Sequence, residues 1–395
     1  TAAALQALKR GDIYFSEYEG LYSVSEERFI TEKEKEEGNF REIKKIKEKN
    51  YFFKMSKYQN ELIDYIKKND NFILPHSRRN EILGFLDKKL NDLCISRPKS
   101  RLSWGIEMPF DSEYVTYVWF DALINYISAI GYNYDNDKFN HYWPADLHLM
   151  AKDILTTHCV YWPTMLMACN IKLPTTIFAH GWWLMNDTKM SKSLGNVIKP
   201  LDLVDEYGSD ALRYYLMRNM VVGQDASFTL NSFIKRYNAD LANDYGNLIN
   251  RIFILINKNF NNKIPNKIDI DSIDKKFIKD IADYESLAIK SYNSMKIHDG
   301  IENSISIFRL TNKFLEDKAP WKTIKLDKNI ASTTIYLSAE ALRLGTTLLY
   351  PIIPEKANLV LNAMKCSPAD DTSFGKLKEG TTINIVKNIF PRIVD

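Results

Sequence analysis

Two lysines and two serines occur together in residues 189–193, which read KMSKS. They follow a short polar turn, residues 186–188, and a segment that reads as a strand, residues 176–180. Because Lys189 and Lys192 are three positions apart, a loop can present both ammonium groups on one side. Such charges would stabilise the pyrophosphate leaving group of a nucleotide. Composition alone favours the alternative, an exposed loop, and the phosphate-binding pattern GxxxxGK[ST] does not occur in the sequence.

Aromatic side chains and a histidine recur at helical spacing in two segments. Trp119 and Tyr126 are seven residues apart, which is two helical turns, and His158 and Trp162 are four apart. An aromatic cage suits an unbranched thioether, because sulfur packs well against rings and accepts only weak hydrogen bonds. The alternative for each of these residues is a place in the core, with His158 a hydrogen-bonded core histidine.

A third pattern is a polar row, in which Asn243, Asn247 and Arg251 recur at every fourth position. Leu241 and Leu248 fall on another face of the same helix and are expected in a core. Amide groups read the edges of unstacked bases, and a guanidinium can stack on them or bond to them. The row therefore indicates RNA recognition, and the alternative is a solvated helix face.

The elements that position these residues begin with an α/β region. Residues 114–120, 148–150 and 176–180 are expected to be strands, with helices through 130 and over 153–168. This order favours a parallel sheet, in which ligands bind at the carboxyl ends of the strands. Those ends would carry Trp119 with Asp121, Asp153, and His180 with Gly181.

The rest of the chain is predicted in coarser terms. Residues 12–30 alternate as strands do, and residues 31–50 form a charged run expected to be a solvated hairpin or loop. Residues 55–68 and 78–93 are expected to be amphipathic helices. Beyond about 230, long helices are expected, with breaks at Pro265, Pro320, Pro351 and Pro354.

Bulk composition narrows the class of protein. The chain has 395 residues, which is the length expected for two or three domains. Its 45% hydrophobic residues and seven tryptophans indicate globular domains. Its net charge of +3 argues against a polybasic tail. Its four cysteines have no CxxC spacing, which argues against a zinc site or a disulfide framework. We find neither a signal peptide nor a membrane-spanning run. The chain begins with Thr1 inside a helix-like segment, which suggests a piece of a longer protein.

The KMSKS segment also has distinctive neighbours. It is preceded by HGWW at residues 180–183 and followed by SLGN at residues 193–196. Together these segments resemble the methionyl form of the class I aminoacyl-tRNA synthetases, and the resemblance extends from residues 18–25 to residues 390–393.

The resemblance implies an α/β plus all-α fold. It comprises the second half of a Rossmann-like nucleotide-binding fold, a connective-peptide domain and a C-terminal α-helical anticodon-binding bundle. The expected divisions are 1–113 for the end of the first half and the connective region, 114–185 for the second half, 186–230 for the KMSKS loop and stem-contact region, and 231–395 for the helical domain.

The resemblance also implies three sets of site residues. ATP would be bound by the catalytic lysines Lys192 and Lys189, with Ser191, Asp153, His180, Gly181, Trp183 and Glu107. Methionine would be bound by Trp119, Leu123, Tyr126, Asp153, His158, Trp162 and Arg97. The anticodon would be bound by Asn243, Asn247, Arg251 and Trp321. For Arg97 and Glu107 the alternative is an exposed ion pair, and Thr157 departs from the aromatic residue that some relatives carry.

The implied reaction joins methionine to tRNA(Met), with ATP and Mg²⁺. We expect no zinc, no membrane association, a monomer rather than an oligomer, and a cytoplasmic location, with an organelle as the alternative. The histidine motif of the first nucleotide-binding half does not occur in the sequence, so we expect this segment alone to be inactive.

Three other functions remain open at this stage. One is a non-catalytic tRNA-binding remnant. Another is a class I synthetase for leucine, isoleucine, valine or cysteine, although the sequence has neither an editing insertion nor zinc-ligand spacing. The third, a nucleotide-binding structural protein, is remote.

Overall fold

The computed structural model describes residues 11–23, 28–30, 35–36, 42–185, 188–190, 197–369 and 372–394. The chain divides into two compact units, unit 1 over residues 1–180 and unit 2 over residues 181–395. The finer division into four regions stays a prediction. Within the described residues, no helix is both long enough and apolar enough to span a membrane.

Among the residues that the structure describes, unit 1 combines three small sheets with short helices. Its strands are β1 (Ile13–Ser23), β2 (Arg28–Ile30), β3 (Ile43–Phe53), β4 (Ile73–Leu74), β5 (Leu93–Cys94), β6 (Ser96–Pro98), β7 (Glu107–Met108), β8 (Asp111–Thr116), β9 (Leu147–Ala151) and β10 (Thr176–His180). Its α-helices are α1 (Gln59–Lys68), α2 (His76–Leu86), α3 (Val118–Ser128), α4 (Asn136–Tyr142) and α5 (Trp162–Ala168).

The charged run is partly a strand. β3 pairs antiparallel with β1 along its whole length, so residues 43–50 are part of one strand of a ribbon and do not form a hairpin of their own. Lys47 and Lys49 of β3 lie opposite Glu19 and Glu17 of β1, and on the diagonal Lys45 Nζ is 2.8 Å from Glu19 Oε1. Opposite charges at facing positions favour this register in a solvated ribbon.

The parallel sheet has the strand order β4-β10-β9. β10 pairs with β9 from Thr176 opposite Leu147 to His180 opposite Ala151, as the order of the elements predicted. The other partner of β10 is β4, which is only two residues long and therefore too short to be recognised by periodicity.

The prediction that residues 114–120 form a strand of this sheet was wrong. β8 ends at Thr116 and pairs antiparallel with β6 and β7 in a separate sheet. The apolar residues that follow belong to α3, where Phe120, Leu123 and Ile127 are buried at helical spacing. A short apolar run cannot distinguish a strand from the first turn of a buried helix.

The prediction of one α-helix over residues 153–168 needs a similar correction. A 3₁₀ turn, Lys152–Ile154, is followed by a π-helical turn, Thr157–Tyr161, before α5 begins. The N–H of Trp162 donates to the carbonyl of Thr157, five residues back. Pro163 has no N–H to continue the regular ladder, which explains the irregular turn at this point.

The second amphipathic helix is also shorter than the predicted 78–93. α2 ends at Leu86, where the amide nitrogen of Gln59 donates to the carbonyls of Leu86 and Lys88 at 2.7 and 2.8 Å. Gln59 Oε1 in turn accepts from the N–H of Leu90 at 2.9 Å. A side chain from α1 thus takes the hydrogen bonds that a longer α2 would have satisfied.

Unit 2 is mostly helical, as predicted. Its strands are β11 (Trp183–Met185), β12 (Thr188–Lys189) and β13 (Ala226–Phe228). Its α-helices are α6 (Pro200–Tyr207), α7 (Ser209–Asn219), α8 (Leu230–Arg236), α9 (Asn247–Phe260), α10 (Ser272–Asn293), α11 (Ile297–Lys318), α12 (Pro320–Thr323), α13 (Lys328–Leu349) and α14 (Pro354–Ala363). A π-helical segment, Tyr237–Gly246, joins α8 to α9. Pro320 and Pro354 begin helices, where a missing N–H costs nothing.

A buried ion pair attaches the C-terminal segment to α13. The Glu340 carboxylate accepts from Arg343 Nε and Nη2 at 2.9 and 2.7 Å, and both side chains are buried. It also accepts from the backbone N–H groups of residues 375–377, at 2.7, 2.9 and 2.9 Å. Arg343 donates to the carbonyl of Ser373 at 2.9 Å. The carboxylate therefore satisfies backbone groups that have no regular structure of their own.

Removing this carboxylate should destabilise unit 2. We expect Glu340→Ala to lower the free energy of unfolding by about 3–5 kcal/mol, because Arg343 is left buried without a counter-charge. Urea unfolding followed by circular dichroism measures the change. Glu355→Ala, at an exposed position of α14, is the matched control. A loss below about 1 kcal/mol for Glu340→Ala would contradict this account of the pair.

Candidate functional site

Unit 1 gathers most of the predicted methionine-site residues into one aromatic cluster. Tyr126 lies on α3 and His158 on the π-helical turn, and the Tyr126 hydroxyl is 2.9 Å from His158 Nε2. The Tyr126 ring centroid is 6.0 Å from that of Trp162, and the Trp119 centroid is 6.4 Å from that of His158. The structure therefore brings these four residues together from α3, the π-helical turn and the start of α5.

The hydrogen bonds fix the tautomer of His158. Its Nδ1 is 2.9 Å from the carbonyl of Ile154, which can only accept, so Nδ1 carries the proton. Nε2 is then an acceptor, and the Tyr126 hydroxyl donates to it. Burial lowers the pKa of His158 and raises the pKa of Tyr126, so both groups are neutral.

The cluster also contains two residues that the sequence interpretation did not assign to a site, His148 and Trp143. The His148 ring centroid is 4.4 Å from that of Tyr126 and 6.0 Å from that of Trp143. Burial is the main cause that lowers the pKa of His148 to about 4, with a smaller contribution from His158. The signal in the sequence was the alternation of β9, which places His148 on the buried face of that strand.

Two polar atoms in this cluster have no hydrogen-bond partner among the described residues. They are Nε2 of His148 and Nε1 of Trp162, and both are buried. Leaving such groups unpaired costs about 1–3 kcal/mol each, which a bound polar atom or a water molecule would recover. Most of the cluster's surface is therefore apolar, but these two unpaired polar atoms lie within it.

The other residues considered for the methionine site differ in their burial. Leu123 is buried in the core of unit 1, and Asp153 is exposed on the 3₁₀ turn. Thr157, where some relatives were expected to carry an aromatic residue, is buried on the π-helical turn. Trp119 lies in the first turn of α3 and not at the end of a strand of the parallel sheet.

Arg97 and Glu107 lie on β6 and β7, each opposite Val115 of β8. Arg97 is buried, and its Nη1 donates to the carbonyl of Ser96 at 2.8 Å. The exposed ion-pair alternative therefore does not describe Arg97. It does describe Glu107, whose Oε1 is 2.5 Å from Lys99 Nζ.

Residues 180–183, which precede the KMSKS loop, are tightly packed. A Cβ atom at Gly181 would lie 2.0 Å from the carbonyl oxygen of Gln224, so only glycine fits there. Trp183 begins β11, pairs with Ala226 of β13, and lies with its ring centroid 5.7 Å from that of Tyr215. His180, the last residue of β10, is half-buried.

The lysine loop itself is described only in part. Lys189 ends β12, opposite Leu184 of β11, and its side chain lies outside the described residues, as do Ser191 and Lys192. The aromatic cluster belongs to unit 1 and Lys189 to unit 2. Their convergence in one nucleotide site therefore stays a prediction.

All four predicted RNA-binding residues belong to unit 2, and two of them, Arg251 and Trp321, are in contact. Asn243 is exposed on the π-helical segment, and Asn247 is exposed at the start of α9. The Arg251 guanidinium lies over the Trp321 ring, 5.4 Å from its centroid, and 39% of Trp321 is exposed. Leu241 and Leu248 are buried in the core of unit 2, as the helical spacing predicted.

Comparison with known proteins identifies the family. Residues 37–253 match the family described as tRNA synthetases class I (M), and residues 264–395 match the anticodon binding domain of methionyl tRNA ligase. The chain belongs to the methionyl-tRNA synthetase family. The predicted fold class, a class I catalytic fold followed by an anticodon-binding helical domain, is therefore confirmed.

Individual relatives of this family agree. The chain is 42% identical to the methionine–tRNA ligase of Listeria innocua, over 98% of this chain and 62% of the relative, and 42% identical to that of Clostridium acetobutylicum, over 97% and 61%. The Mycobacterium tuberculosis methionyl-tRNA synthetase solved with methionyl-adenylate matches with a TM-score of 0.91 and 34% identity, over 99% of this chain and 79% of that one. The chain thus spans about three fifths of the length of these curated relatives.

The two histidines of the cluster should make unit 1 sensitive to acid. A histidine whose pKa is lowered by folding stays neutral in the folded state. The same histidine in the unfolded chain binds a proton below pH 6.5. The free energy of unfolding is therefore not reduced by His148 above pH 6.5. It decreases as the pH falls from 6.5 to about 4, because unfolding then takes up a proton. The slope is about 1.4 kcal/mol per pH unit for one such group.

We expect His148→Gln to flatten this loss of stability, because the unfolded variant no longer takes up that proton. Urea unfolding at several pH values between 6.5 and about 4 measures the slope. His141→Gln, at an exposed histidine of α4, is the control and should keep the parent slope. An unchanged slope in His148→Gln would contradict the assignment of a buried neutral imidazole.

Proposed function

We propose that the protein containing this chain is a methionine–tRNA ligase, which activates methionine with ATP and transfers it to tRNA(Met). The observation that carries the proposal is the neutral aromatic cluster of unit 1, in a chain of the methionyl-tRNA synthetase family. The methionine carboxylate attacks the α-phosphorus of ATP, and a terminal ribose hydroxyl of the tRNA then attacks the aminoacyl carbonyl. Positioning and electrostatics supply the rate, so no side chain has to act as a strong base.

The cluster favours a thioether by shape and by the absence of charge. The hydroxyl of Tyr126 donates to His158, so this pair offers polarisable rings and not a strong free donor. A sulfur atom packs well against such rings, whereas a charged or strongly polar side chain would lose its hydration without compensation. Trp119 and Trp162 extend the same aromatic surface.

The assignments for ATP remain proposals of the same kind. Lys192 and Lys189 would neutralise charge on the pyrophosphate, assisted by Ser191, while the backbone near Gly181 and Trp183 would lie along the adenine. Among the described residues, no group of three or more histidine, cysteine or acidic side chains is arranged to hold a metal ion. Mg²⁺ would be bound by the phosphates of ATP. The absence of zinc, the monomeric state and the cytoplasmic location also stay predictions.

The helical unit would read the anticodon. Asn243 and Asn247 are exposed on consecutive turns, and their amide groups would bond to the base edges of the CAU triplet. Trp321 is partly exposed, and one base would stack on its ring. Arg251, which already lies over that ring, would add a second planar, charged surface.

The 395-residue chain alone should not form methionyl-adenylate. The histidine motif that would form the other wall of the ATP site is not in the sequence, and the loss of such preorganised groups costs several kcal/mol in the transition state. Exchange of labelled pyrophosphate into ATP in the presence of methionine measures the reaction. The methionine–tRNA ligase of Listeria innocua, which is 42% identical to this chain, is the positive control. Exchange by the chain at a rate comparable to that control would refute the prediction.

Trp321→Ala should weaken the binding of a short RNA hairpin with a CAU loop by about 1–3 kcal/mol, because one base loses its stacking partner. Fluorescence anisotropy of a labelled hairpin at fixed salt measures the affinity. Trp104→Ala, at an exposed tryptophan of unit 1, is the matched control. If both variants bind the hairpin as tightly as the parent chain, Trp321 is not an anticodon contact.

A further inference from the structure

The Arg251 guanidinium is held by a side chain from another helix, Asn312 of α11. Asn312 Oδ1 accepts a hydrogen bond from Arg251 Nη1 at 3.2 Å. Glu316 also approaches Arg251, but its Oε1 is 3.5 Å away and its side chain is 66% exposed. Long, exposed ion pairs contribute little, so the half-buried Asn312 is the partner that fixes the guanidinium.

The other end of the same amide holds the backbone of the π-helical segment. Asn312 Nδ2 donates to the carbonyl of Asp244 at 2.9 Å. Asp244 lies between Asn243 and Asn247 in the chain. It belongs to the widened turn in which the N–H of Asn247 donates to the carbonyl of Ala242, five residues back. One side chain therefore links the widened turn that carries the two asparagines to the arginine that follows them on α9.

Neighbouring contacts fix the position of Asn312 itself. Arg309, one turn earlier on α11, donates to Asp244 Oδ2 at 2.7 Å and to Asp240 Oδ1 at 3.0 Å. Thr311 is buried on the same helix and donates to the carbonyl of Ile307 at 2.7 Å. The charged hydrogen bonds of Arg309 thus attach α11 to the π-helical segment one turn before Asn312. They hold the Asn312 amide in a defined orientation toward Arg251 and the carbonyl of Asp244.

We propose that Asn312 is a positioning residue for anticodon recognition, which aligns Arg251 over Trp321 and keeps Arg251 in register with Asn243 and Asn247. This inference rests on the proposed anticodon site. Asn312 acts through Arg251 and need not touch the RNA itself. Its amide is suited to the role because it offers a donor and an acceptor at once, without a charge that would repel phosphates.

A double-mutant cycle tests the proposal in the whole 395-residue chain. The variants are Asn312→Ala, Arg251→Ala and the double variant, with Asn303→Ala on the same helix as the control. The probe is the CAU hairpin, with a hairpin carrying UAC in its loop as the non-cognate competitor. We expect Asn312→Ala to weaken CAU binding by about tenfold, the size of one hydrogen bond to a charged group.

The expected cycle is strongly non-additive. The double variant should bind the CAU hairpin no more weakly than Arg251→Ala, because the loss in Asn312→Ala passes through Arg251. Preference for CAU over UAC should fall in both single variants, and Asn303→Ala should bind like the parent chain. Equal melting temperatures for Asn312→Ala and Asn303→Ala would separate positioning from a general loss of stability.

Two results would overturn the proposal, and they differ in what else they reject. Additive losses, or CAU binding by Asn312→Ala equal to that of the parent chain while Arg251→Ala binds weakly, would reject the positioning role of Asn312 alone. CAU binding unchanged in Arg251→Ala would reject this role together with the proposed anticodon site.

Discussion

Both candidate sites depend on helical turns in which a hydrogen bond spans five residues in place of four. In unit 1 the N–H of Trp162 donates to Thr157, and in unit 2 the N–H of Asn247 donates to Ala242. Such turns are rare because they pack less well than an α-helix, and they frequently occur at functional sites. The surrounding structure must therefore hold them. In unit 1 the missing N–H of Pro163 weakens the regular alternative.

The support in unit 2 is electrostatic. Arg309 donates to Asp240, Asp244 and Glu302 at 3.0, 2.7 and 2.7 Å, and Asp240 also accepts from the hydroxyl of Tyr214 at 2.7 Å. Burial raises the pKa of Asp244, and the hydrogen bond from Arg309 opposes that rise. A charge removed from this network would leave others buried without compensation, so the network favours one geometry of the segment that presents Asn243.

The sequence predicted the helical unit better than the sheets of unit 1. The row that ends at Arg251 was recognised from its four-residue spacing, although Asn243 lies on the π-helical segment, and the burial of Leu241 and Leu248 agrees with that interpretation. In unit 1, apolar residues of α3 continue directly from β8 and resemble one longer strand. β4 carries too few residues for any periodicity. Where short strands of a buried α/β region begin and end depends on which strands they pair with. Local sequence patterns do not specify those partners.

The aromatic site shows a second limit of pattern analysis. Tyr126, His158 and Trp162 stand at helical spacings that suggest a shared surface, but His148 and Trp143 reach the same cluster from β9 and from the residue after α4. No spacing along the chain relates these two groups. They matter because the unpaired His148 Nε2 and Trp162 Nε1 are polar atoms within a largely apolar cluster. A pocket that is selective by shape can tolerate few such atoms, since each one left unpaired opposes binding of a purely apolar ligand.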